Sequence, residues 1–152
     1  MGRYFEEFAI GERVEAPSRS IAVADIDGFA ALTGDVNRLH VDDDFARTQG
    51  FRERIAHGAL VLSVALGMAW QTGILEDTTR AFREIETWKF TSPVYPGDVL
   101  SLVVEVTALK PYPRLRSGTV SFLATVTNDR GETVCGGTLH LLMVMQIGRA
   151  HV

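Results

Sequence analysis

Asp35, Asn37 and His40 stand within six residues in the stretch LTGDVNRLH, an acid, an amide and an imidazole behind a Thr33-Gly34 pair. A carboxylate can take a proton from water while an imidazole, which titrates near neutrality, relays or delivers one, so the two types together suit general acid/base work. Asn37 adds a neutral donor and acceptor that can orient water or a carbonyl. Spacing decides whether they can meet. On a continuous helix Asp35 and His40 would diverge by roughly 140°. Gly34 and the helix-averse run Asp35-Val36-Asn37 instead predict a turn, through which both side chains converge on one cavity. The same residues fit a plainer role, with Asp35 or Asn37 capping a helix or closing an Asx-turn. Spacing by itself leaves both open.

The neighbouring segments show what must hold this stretch. EEFAIGERVEAPSRSIAVADI carries a Gly-Glu turn and a short β edge around Ser20 to Val23. ADIDGFAALTG then has Ile26, Phe29, Ala30 and Leu32 at helical spacing, with Asp25 as N-cap and Gly34 as stop. After the stretch, VDDDFARTQGF predicts a second short helix with Asp42 to Asp44 as solvated acids in its first turn, ending near Gly50. From Ala59 to Trp70 the chain is apolar nearly all round, with Ser63 its only polar residue, as in a helix wrapped by a sheet. From Arg83 onward the period becomes two, with turns at Pro96-Gly97-Asp98 and Asn128 to Gly131. Such turns are too short for parallel crossovers, so the expected fold class is α+β, a single domain whose long antiparallel sheet curls around one helix.

Composition narrows the function classes. The 152 residues are 46 % hydrophobic and 22 % charged, enough for one substantial core and no linker or repeat. A net charge of −4, from 15 basic and 19 acidic residues, offers no general footprint for nucleic acid. No segment has the length and apolar character of a membrane span, and the N-terminal stretch lacks the continuous apolar run of a secretory signal. The single cysteine, Cys135, cannot form an intramolecular disulfide and reads as a small buried hydrophobe; no Cys/His cluster has metal-site spacing. These point to a cytoplasmic protein with no metal and no cofactor.

FAALTGDVNRLHVDDDFA, Phe29 to Ala46, resembles the signature of the MaoC-like or hydratase 2 family, the (R)-specific enoyl-CoA hydratases and 3-hydroxyacyl thioester dehydratases of the hotdog fold. FEEFAIGERV, RIAHGALVLSVALGMAW and FTSPVYPGDVL extend the likeness over nearly the whole chain. The departure is Arg38, where proline is usual, which removes a backbone restraint but no reacting group. The resemblance implies that Asp35 and His40 activate a water and deliver a proton as it adds syn across a trans-2-enoyl thioester. It implies that Asn37 holds water or the thioester region and that the Gly58 backbone N–H faces the thioester oxygen. Ser63 matches a serine that faces the site in some members, although a helical serine can also bond back to the carbonyl four residues before it.

The implied activity is hydration of a trans-2-enoyl-CoA to a (3R)-3-hydroxyacyl-CoA, or the reverse, by a homodimer with pockets near its interface. Two rivals remain: a hotdog acyl-CoA thioesterase, and a non-catalytic subunit that binds acyl thioesters. Arg52, Arg54, Lys89, Lys110, Arg114 and Arg116 are the candidates to meet coenzyme A phosphates, without a choice among them. Phe51, Trp70 and Trp88 are either core or acyl-tunnel residues, and His57 is read as a structural or capping residue. The expected domain is 1–146; the last six residues, 147–152, read as a non-native tail whose His151 is set aside.

Overall fold

The computed structural model describes residues 2–146, so the expected non-native tail lies outside the described residues. Helices dominate the first half: α1 (Val23–Thr33), α2 (Arg38–Val41), α3 (Asp43–Thr48) and α4 (Gly58–Gln71). Two short strands precede them, β1 (Arg13–Glu15) and β2 (Arg19–Ser20). Four long strands follow, β3 (Thr79–Phe90), β4 (Val99–Tyr112), β5 (Ser117–Thr127) and β6 (Thr133–Val144). The sheet order is β1-β4-β5-β6-β3, with β2 also on β4, and the pairings are antiparallel. This is the α+β hotdog arrangement that the sequence predicts.

Alternation along the strands builds the core. Leu100, Leu102, Val104 and Val106 of β4 and Val120, Phe122, Ala124 and Val126 of β5 all point inward and are buried. Leu60, Val61, Ala65, Met68 and Ala69 of α4 are buried in the same cluster, with Cys135 beside them. Burial pushes the Cys135 thiol up to about 12, which leaves it a small hydrophobe rather than a nucleophile.

Several local expectations are corrected. Ala22, not Asp25, is the N-cap of α1; Asp25 sits three residues on and its carboxylate accepts the Ala22 N–H at 2.8 Å while pairing with Arg19. The β edge ends at Ser20, and Val23 already begins the helix. β3 starts at Thr79 rather than Arg83. Helix α4 is wrapped on one side only, since Ser63, Gly67 and Trp70 are exposed. Asp42 goes beyond a solvated acid: it is the N-cap of α3, accepting the Phe45 N–H at 3.0 Å, and that bond with the Arg38 guanidinium holds its carboxyl below the usual range.

Candidate active site

α1 ends where Gly34 takes the left-handed conformation at φ 79°, which costs glycine nothing, and its N–H bonds the Ala30 carbonyl at 2.9 Å. A chain of short-range bonds then shapes the turn. The Thr33 hydroxyl accepts from the Asp35 N–H, Asp35 Oδ1 from the Asn37 N–H and Asn37 Oδ1 from the Leu39 N–H, at 3.2, 3.3 and 3.0 Å. Asn37 is thus the N-cap of α2, the plainer of its two expected roles, and its oxygen is already engaged. His40 follows on α2, so the helical divergence of Asp35 and His40 never arises.

Nδ1 of His40 lies 2.8 Å from the Ile55 carbonyl, which can only accept. In the neutral ring the hydrogen therefore sits on Nδ1 and the lone pair on Nε2, the tautomer a base needs. His57 is 2 % exposed and stacks on His40 with ring centroids 3.8 Å apart and planes 26° from parallel. Phe29 meets the His57 ring edge-on at 4.9 Å, and His57 Nε2 lies 2.9 Å from the Asp35 carbonyl. Proton-carrying or ligand-type atoms of Asp35, His40 and His57 all fall within 4.8 Å of one another. His57 ties the acid's backbone to the imidazole's ring, a role that short-range spacing does not reveal. The HG pair before the apolar helix was its only signal.

His40 opens onto a cavity of about 310 Å³ lined also by Phe51, Gly58, Phe90, Val94 and Val134. Gly58 is the first residue of α4, so its N–H has no intrahelical acceptor and points with the positive end of the helix dipole. A Cβ on Gly58 would lie 3.0 Å from the Phe90 ring, so glycine lets the two approach. A group entering here meets an imidazole and an electropositive helix end, with the Asp35 carboxylate beside the imidazole though not among the lining residues.

Other sequence candidates fall elsewhere. Ser63 is exposed, absent from this cavity's lining, and its hydroxyl donates to the Ala59 carbonyl at 2.8 Å. Trp70 borders a second, apolar cavity of about 320 Å³ with Leu66, Phe82 and Leu139, while Trp88 packs against the core. Arg38, in place of proline, donates to Asp42 at 3.0 Å and covers the Phe45 ring at 4.4 Å, a side-chain restraint where a backbone one was missing. Of the basic candidates, Arg54 is paired with Asp27 at 2.9 Å, Arg52 lies over Tyr95, and Lys89 neighbours Phe90 on β3. Arg114 and Arg116 follow β4, at the far end of the sheet. Among the described residues, the other cluster with metal-ligand spacing is Glu84, Glu86 and His140, on β3 and β6. No described helix is long and apolar enough to cross a membrane.

The family model described as "MaoC like domain" matches residues 6–128. The chain is 34 % identical over 127 residues to a protein of Rhodospirillum rubrum named (R)-specific enoyl-CoA hydratase, covering 82 % of this chain and 81 % of that one. It is 35 % identical over 100 residues to protein MaoC of Klebsiella aerogenes, covering 66 % of this chain but only 29 % of that longer protein. The solved structure titled monoamine oxidase regulatory protein from Archaeoglobus fulgius superposes with a TM-score of 0.88 at 37 % identity, covering 95 % of this chain and 96 % of that one.

Proposed function

This chain belongs to the MaoC-like domain family, and from that premise we propose that it is a hydro-lyase that adds water to a trans-2-enoyl-CoA, giving a (3R)-3-hydroxyacyl-CoA, and catalyses the reverse. The observation that carries this reading is the clustering of Asp35 with His40, whose Nε2 has no partner among the described residues, where His40 and the first residue of α4 line one cavity.

In the proposed reaction the water oxygen bonds to C3 of the enoyl thioester while Asp35 and His40 take one of its hydrogens. The electron pair of the C2–C3 double bond moves toward the thioester carbonyl, and the resulting enolate oxygen is met by the Gly58 N–H. That contact strengthens as charge develops, which is what lowers a barrier rather than merely binding the substrate. A proton from the acid/base pair then returns to C2 on the same face, regenerating the carbonyl. Atoms balance with water as the sole co-reactant. The working unit we propose is a homodimer, supported by the large apolar side chains Trp70, Phe82 and Phe90 that one copy leaves exposed.

Mixing the purified protein with crotonyl-CoA tests this by loss of the enoyl-thioester absorbance and chiral analysis of the product. The (3R) alcohol formed by the wild type and not by Asp35→Asn supports the assignment. Release of free coenzyme A thiol without hydration would replace it with the thioesterase reading.

A further inference from the structure

Far from His40, the end of the sheet where β3 begins holds three arginines around one opening. Arg80, Ala81, Arg114, Leu115, Arg116 and Leu142 line a cavity of about 560 Å³ without an acidic side chain among them. Among the described residues, neither the Arg114 nor the Arg116 side chain has a hydrogen bond or a carboxylate partner, although the chain as a whole is acidic. Their backbone is fixed nonetheless. Arg80 donates to the Leu115 carbonyl at 2.8 Å and to the Ser117 hydroxyl at 3.0 Å, so one guanidinium braces the turn that carries the other two. Arg116 itself is held at φ 48°, in the left-handed region that a residue with a Cβ rarely occupies, with its N–H on the Pro113 carbonyl and its own carbonyl on the Met145 N–H. Strain of this kind persists only where surrounding contacts over-determine it.

We propose that this cavity binds an organic phosphate of nucleotide size. Guanidinium forks match phosphate oxygens two at a time, and the unspent forks of Arg114 and Arg116, with the positive charge of the bracing Arg80 beside them, suit a doubly charged group. Ala81, Leu115 and Leu142 supply an apolar wall for the organic part, which an inorganic anion would leave unused. Arg80 and Phe90 are ten residues apart on the same strand, about 33 Å at the usual rise, so this cavity is separate from that of His40 in the same chain. The inference stands whether or not the hydro-lyase reading holds.

Adenosine 3′,5′-bisphosphate, titrated calorimetrically into the full chain, is the probe, with inorganic phosphate beside it. Saturable binding that weakens at least tenfold in Arg114→Ala/Arg116→Ala, and with added salt, is the expected result; both arginines are exposed, so the variant keeps its fold. No saturable heat with the nucleotide, equal binding by the variant, or equal binding of inorganic phosphate would overturn the proposal. Where binding is confirmed, KM for crotonyl-CoA in the same variant names the source. A raised KM identifies the nucleotide end of coenzyme A held at another copy's cavity, and an unchanged KM identifies a free nucleotide.

Discussion

The imidazoles of His40 and His140 are each held at Nδ1 by a short hydrogen bond, 2.8 Å to the Ile55 carbonyl in one and 2.7 Å to the Ser121 hydroxyl in the other. They part company at the second nitrogen. Nε2 of His140 meets the Glu86 carboxylate at 2.7 Å, so both nitrogens are spent on tying β3, β5 and β6 together. Nε2 of His40 has no partner among the described residues, and His40 lines a cavity. Both histidines lie beside a carboxylate, so proximity of acid and imidazole does not make a site; an unspent lone pair with room for a ligand does.

Substitutions at each histidine and its neighbours test that contrast. Asp35→Asn and His40→Ala are each expected to lower kcat for enoyl-thioester hydration roughly a thousandfold, the scale of a lost acid/base group, whereas His140→Ala leaves kcat within about twofold. His57→Ala removes the stacked ring and the bond to the Asp35 carbonyl but no reacting atom. A loss of roughly a hundredfold in kcat with KM nearly unchanged is expected, from misplacement of Asp35 and His40. His57→Phe, which keeps the stack without the hydrogen bond, should recover part of it. Gly58→Ala preserves the N–H yet sets a Cβ against Phe90, and the expected loss in kcat/KM is smaller, about tenfold.

One stability prediction serves as a control away from the site. Asp98 is buried in the turn after Tyr95, where Arg130 donates to it at 2.8 Å and the Tyr95 N–H at 3.0 Å. Burial alone would push its carboxyl up, but these bonds outweigh it and hold the carboxyl below the ordinary range. A depressed folded-state value means that the ionised form contributes stability above the unfolded value, near 4, and that this contribution fades as pH falls through the folded value. Asp98→Asn is therefore expected to cost about 2 kcal/mol at pH 7 in denaturant melts, with the gap to wild type closing in acid and hydration per folded molecule unchanged. Smallest of all, Arg38→Ala removes an exposed bridge and a ring contact and should cost under about 1 kcal/mol.

Local pattern made much of this legible. Period-two alternation gives the four long strands, the apolar run gives α4, and Gly34 marks the turn between Asp35 and the helix before it. What escaped depends on partners far along the chain. Nothing in the spacing of His57 says that its ring lies on His40, seventeen residues earlier, because that contact exists only once α2 packs beside the start of α4. Ser63 looked like the one polar group on a buried helix; with that side of α4 open, its hydroxyl simply returns to the Ala59 carbonyl. Residue type alone does not separate Arg114 and Arg116 from Lys89, and only the strand order sets them at opposite ends of the sheet. Asp25 has the residue type of an N-cap but stands at the third helical position, where its carboxylate accepts the N–H of the N-cap residue Ala22 rather than one from inside the first turn.

Side-by-side hydration of crotonyl-CoA by the wild type, His40→Ala and His140→Ala, each verified as folded, tests the central claim most directly. The account predicts the (3R) alcohol from the wild type and from His140→Ala at similar rates, and a rate near background from His40→Ala. Equal activity in the wild type and His40→Ala would contradict it.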